Sequence, residues 1–85
     1  MKITLLVSSW NPSCQRARQV WSELAQEEGF ALDVMDVAEG DGQALMGRLK
    51  LKTIPALLID GKLTAIGLQS KEEARHIIHS VRNQH

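Results

Sequence analysis

The single cysteine of this 85-residue chain lies in the stretch Trp10-Asn11-Pro12-Ser13-Cys14. A short apolar run, Ile3-Thr4-Leu5-Leu6-Val7, ends just before it, and a helical pattern continues from it to Gly29. Asn11 is a good N-cap residue, because its side-chain oxygen can accept a first-turn amide. Pro12 follows at the first helical position, where a missing N–H costs nothing. Cys14 therefore falls in the first turn of a helix, where free amides and the helix dipole favour negative charge. Reactive thiols occupy such places. Cys14 also lies on the apolar stripe of its helix, and free cysteines are among the most buried residues. Two readings stand side by side: a reactive monothiol, and a shielded core cysteine. No histidine is near Cys14 in sequence, so activation would rest on the helix terminus alone.

Other side chains offer less chemistry. His76 and His79 are three apart on a helical pattern and His85 follows, but no carboxylate or thiol completes a metal-ligand spacing, so no metal is expected. Arg16 and Arg18, with Arg48, Lys50 and Lys52, are candidates for a basic rim and are read as solvated surface. Lys+Arg and Asp+Glu are equal at 10 each, so nothing favours nucleic acid or an anionic membrane. A lone cysteine excludes a disulfide scaffold and fits a reducing compartment. The N-terminus lacks a signal-peptide pattern, and no apolar run approaches the roughly 20 residues of a membrane span. A cytoplasmic protein is expected.

The elements that must position Cys14 can be read from periodicity. Residues 2–7 read as a buried strand. From Pro12 to Glu28 the apolar positions Cys14, Ala17, Trp21, Leu24 and Ala25 keep helical spacing, which puts Trp21 in the core, and Gly29 is the stop. Phe30 to Val37 alternates as a second strand, and the intervening helix makes a parallel βαβ unit. Ala38 to Gly42 reads as a turn and Gln43 to Leu49 as a short helix. Ala56 to Ile59 is a third strand, Asp60-Gly61 a two-residue hairpin, and Lys62 to Ile66 a fourth strand. Ser70-Lys71-Glu72-Glu73 is a capping box opening a last helix with Ala74, Ile77, Ile78 and Val81 inward. The order β-α-β-α-β-β-α predicts one layered α/β domain over residues 1–85 with a mixed sheet.

Strand, Trp-x-Pro-x-Cys turn and long amphipathic helix together resemble the active-site segment of thioredoxins and glutaredoxins, especially short archaeal-type thioredoxins. A second match lies in Lys52-Thr53-Ile54-Pro55-Ala56-Leu57-Leu58-Ile59-Asp60-Gly61-Lys62, followed by Gly67. The resemblance covers essentially the whole chain. It implies a thioredoxin-like fold, a four-stranded mixed sheet flanked by three helices. It further implies that Pro55 is cis and faces the Cys14 turn. Ile54 would offer its backbone to an extended peptide or to glutathione, with Thr53 flanking. Trp10 would form part of the partner surface.

The departure from the family pattern matters equally. The family motif is Cys-x-x-Cys; here it reads Asn11-Pro12-Ser13-Cys14, with Asn11 at the place of the exposed nucleophile. Cys14 matches the resolving cysteine, which the family shields. No second cysteine exists to form an intramolecular disulfide, and the strand before the motif lacks the family's buried aspartate. Dithiol reductase activity should be absent. The first expectation is a degenerate module that binds a protein or peptide through Trp10, Asn11, Pro12, Ser13, Thr53, Ile54 and Pro55, without a cofactor. The second is a monothiol thiol-disulfide oxidoreductase acting through Cys14 on a thiol-containing partner or glutathione. A glutaredoxin-like iron–sulfur role ranks below both, because the cluster ligand would correspond to Asn11.

Overall fold

In the computed structural model, which describes residues 1–83, the chain runs β1 (Ile3–Val7), α1 (Pro12–Glu28), β2 (Leu32–Asp36), α2 (Gly40–Leu49), β3 (Ala56–Ile59), β4 (Lys62–Ile66) and α3 (Lys71–Arg82). The strands form one sheet in the order β2-β1-β3-β4. β1 pairs in parallel with β2, Val7 opposite Asp36, and antiparallel with β3, Leu6 opposite Ala56. β3 and β4 make the antiparallel hairpin, turned by Asp60 at φ 52° and Gly61 at φ 81°. Two successive left-handed residues are what a tight hairpin turn requires. This is the four-stranded mixed sheet with three helices expected from the sequence.

Alternation along the central strands separates two hydrophobic layers. Ile3 and Leu5 of β1 and Leu57 of β3 face α1 and α3, where Trp21, Leu24, Ala74 and Ile78 are buried. Leu6, Ala56 and Leu58 face the opposite way, toward half-buried Leu45, Met46 and Leu49 of α2. The helix ends are set locally. Gly29, at φ 73°, closes α1 by donating its amide to the Ala25 carbonyl. The Ser70–Glu73 capping box opens α3 as expected. Exposed ion pairs from Glu27 to Lys71 (2.6 Å) and Glu28 to Arg82 (3.2 Å) run between α1 and α3.

Two boundaries depart from expectation. The second strand is shorter than Phe30–Val37, because the Phe30 amide is taken by the Ala25 carbonyl at the end of α1. α2 begins at Gly40 and not at Gln43, with the Gln43 amide donating to the Glu39 carbonyl. The reason is packing: a Cβ at position 42 would collide with the Asp36 carbonyl, so Gly42 lets the first turn lie against the end of β2. That contact outweighs the poor helix propensity of glycine. Among the described residues, no helix is long and apolar enough to cross a membrane.

Candidate functional site

The register of β1 decides which loops meet. Leu6 lies opposite Ala56, so the segment after Val7 and the segment before Ala56 emerge at the same end of the sheet. The turn from Ser8 to Asn11 and the Thr53-Ile54-Pro55 step therefore share that end. The loop after β4 arrives there too, and the Gly67 amide donates to the Pro55 carbonyl at 2.8 Å.

Asn11 caps α1 as its residue type predicts. Its Oδ1 accepts the Ser13 amide at 2.9 Å, and its carbonyl accepts the Cys14 amide at 3.0 Å. Pro12 occupies the first turn. The first-turn amides of Ser13 and Cys14 are thus both engaged by Asn11. Cys14 itself is 1% exposed and packs with Val7, Ala17 and Trp21 in the α1–α3 layer. Its side chain lines a cleft on the β2 flank of the turn, beside Ser8, Arg18, Val34 and Asp36.

Trp10, by contrast, is 76% exposed. Pro12, Ser13 and Thr53 are also exposed, Ile54 is half-buried and Pro55 is buried. The Ile54–Pro55 peptide bond is cis. Among the described residues, the backbone amides and carbonyls of Thr53 and Ile54 have no hydrogen-bond partner. Exposed Ile66 and Leu68, at the end of β4 and just beyond it, add apolar surface at this end of the sheet. The arrangement can take an extended backbone at Ile54 and apolar side chains around it.

Other candidates disperse. His79 Nε2 lies 2.9 Å from Glu28 Oε1, His76 is exposed, and His85 lies outside the described residues. Among the described residues, no group of three or more His, Cys, Asp or Glu side chains is placed to hold a metal. The basic residues form no single rim: Arg18 lines the Cys14 cleft, Arg16 a groove beside Leu68, and Arg48 a hollow beside Lys2 and Thr4. Trp21 is fully buried, as its place on the helical stripe predicts, and its Nε1 donates to Gln69 Oε1 at 3.4 Å. Sequence reasoning missed Gln69, and it missed Ser8, whose buried Oγ has no partner. Neither carries a local signal, because burial of a polar loop residue depends on distant elements.

Comparison with known proteins gives concordant matches. The family model described as "Thioredoxin domain" matches residues 1–79. A curated "Probable Thioredoxin" from Archaeoglobus fulgidus is 28% identical over 78 residues, 92% of this chain and 86% of the relative. Among solved structures, a mutant thioredoxin from Halobacterium salinarum is similar with a TM-score of 0.75 and 26% identity, over 93% of this chain and 72% of that one. Thioredoxin 1 from Thermosipho africanus superimposes with a TM-score of 0.74 at 16% identity, over 96% of this chain and 94% of its own, a likeness of fold.

Proposed function

The chain belongs to the thioredoxin domain family, and from that premise we propose that it is a binding module which no longer runs dithiol chemistry. The observation that carries the proposal is the state of its one thiol. Cys14 is buried, and the place of the family's nucleophile is held by Asn11, whose side chain is occupied in capping α1. Within these 85 residues no second cysteine is present to resolve a mixed disulfide. The surface around the turn supports binding: Trp10 is open, and the Ile54 backbone is unpaired. The partner is an extended protein or peptide segment that adds its backbone to Ile54 and packs an apolar side chain on Trp10.

A peptide array probed with the folded protein, followed by titration of the best sequences, tests this reading. Cys14→Ser should bind as the parent does, whereas Trp10→Ala should weaken binding by about tenfold or more, as loss of an exposed aromatic anchor does. Binding lost in Cys14→Ser, or catalysed reduction of insulin disulfides by the parent, would contradict it.

One observation favours a second reading: Cys14 lines an open cleft. Through it the thiolate would attack a disulfide such as oxidised glutathione. The S–S bond would break, a mixed disulfide would form on Cys14, and the departing thiol would carry the proton. Mass spectrometry after incubation with oxidised glutathione would show a single adduct in this case and none in the first.

A further inference from the structure

The cleft beside Cys14 has features that peptide binding at Ile54 does not use. β1 and β2 are adjacent and parallel, but the chain leaves β1 for α1 on one face of the sheet and β2 for α2 on the other. Carboxyl ends of parallel strands that diverge in this way leave a crevice, the usual ligand position in open α/β sheets. Here the crevice has a volume of about 480 Å³. That is within the range of about 300–1,000 Å³ for small-molecule sites.

Its lining is chemically incomplete. Ser8 is 2% exposed, and its Oγ has no hydrogen-bond partner. A buried hydroxyl is unfavourable until something bonds to it. Three charged side chains share the same cleft, Arg18 from α1, Asp36 at the end of β2 and Glu39 at the cap of α2. Among the described residues none of the three forms an ion pair, and Asp36 Oδ1 accepts only the Ala38 amide. A simple anion would meet two carboxylates, and a simple cation would leave Arg18 unmatched. The apolar part of the wall is Val7, Val34 and Cys14, a surface suited to an aliphatic or thioether group.

We propose that this crevice is a second binding site, for a small zwitterion of the free amino acid type. Its ammonium lies toward Asp36 and Glu39, its carboxylate toward Arg18, and its apolar side chain toward Val34 and Cys14. Charge-assisted hydrogen bonds supply the orientation, and a polar group of the ligand engages Ser8 Oγ.

The test is a titration of the isotope-labelled full chain with L-methionine, followed by amide chemical shifts in NMR. Saturable shifts should centre on Ser8, Arg18, Val34 and Glu39. Arg18→Gln and Glu39→Gln should each weaken binding by about tenfold, the effect of one lost charged contact at an open site. Butylamine and methylthiopropionate, which carry one charge each, should bind at least about tenfold more weakly than methionine by the same argument. Trp10→Ala should leave methionine binding unchanged, which separates this site from the peptide surface. Ser8→Ala should weaken binding while raising the melting temperature of the ligand-free protein, because it removes an unpaired buried hydroxyl. No saturable shift, shifts centred on Trp10 and Ile54, equal binding of a single-charge probe, or a Ser8→Ala variant that binds methionine normally would each overturn the proposal.

Discussion

On one face of the sheet, α1 and α3 bury Trp21, Leu24 and Ile78 against Ile3, Leu5 and Leu57. On the other, α2 alone covers Leu6, Ala56 and Leu58, and its own apolar side chains stay half-buried. The thick layer holds most of the apolar surface withdrawn from water, and hydrophobic stabilisation scales with that surface. The candidate site lies at the end of the sheet, where the two layers part and loops take over. Trp10, the exposed residue at that end, belongs to neither layer. Substitutions in the thick layer should unfold the domain, and those at Trp10 should change only what it binds.

The largest effect is expected for Trp21→Ala. It empties the centre of the thick layer and removes the bond to Gln69, and truncating a buried aromatic costs about 3–5 kcal/mol. Equilibrium urea unfolding should show that loss, which is most of the margin of a small domain. An unaltered midpoint would show that the two layers are not unequal in the way described.

Gly42→Ala comes next and probes the thin layer. The added methyl meets the Asp36 carbonyl, a backbone atom that cannot swing aside. Overpacking of this kind costs about 1–3 kcal/mol, and α2 should loosen before the sheet does. Hydrogen exchange should show faster exchange in α2 than in α1 and α3. Uniform loosening would mean that the thin layer is as strongly coupled as the thick one.

A smaller effect belongs to the capping box. Ser70→Ala removes the acceptor of the Glu73 amide and should cost about 1 kcal/mol. The box also predicts a pH dependence. Bonds from the Ser70 amide and hydroxyl hold Glu73 below the ordinary carboxylate value, and Lys71 with Arg75 does the same for Glu27. A carboxylate with a lowered folded-state pKa stabilises the fold above its unfolded value, near 4.5. The stabilisation is lost as pH falls through the folded value. Thermal melts from pH 7 down to pH 3 should show that loss, and Glu73→Gln should flatten the acid arm.

Trp10→Ala should change least in stability, by about 0.5 kcal/mol or less, as exposed substitutions do. A large destabilisation would show that Trp10 is a packing residue and would remove the main reason to place a partner there.

How far the sequence could be read follows from how local each cause is. The Asn11-Pro12 start of α1, the Asp60-Gly61 turn and the Ser70–Glu73 box depend on neighbours a few residues apart, and all three are found where the sequence puts them. The stripe from Cys14 to Leu24 was equally legible, because its period is that of the helix. The start of α2 was not, since Gly42 is favourable only once β2 lies against it. Cys14 itself left two readings open: its position in the first turn argues for reactivity and its place on the stripe argues for burial. The structure places it in the core, with Asn11 holding the amides beside it. The charged cleft was illegible for the same reason as Gly42. Arg18, Asp36 and Glu39 come from three elements that the topology alone brings together.

Whether this thioredoxin-family chain binds without thiol turnover is decided by the alkylation rate of Cys14 in the folded protein against pH, referenced to the denatured chain. A buried, non-catalytic thiol should be strongly protected, with a rate far below the denatured reference across the neutral range. A folded-state rate above that reference, with a midpoint below the roughly 8.5 of an ordinary thiol, would contradict it and make Cys14 a working nucleophile.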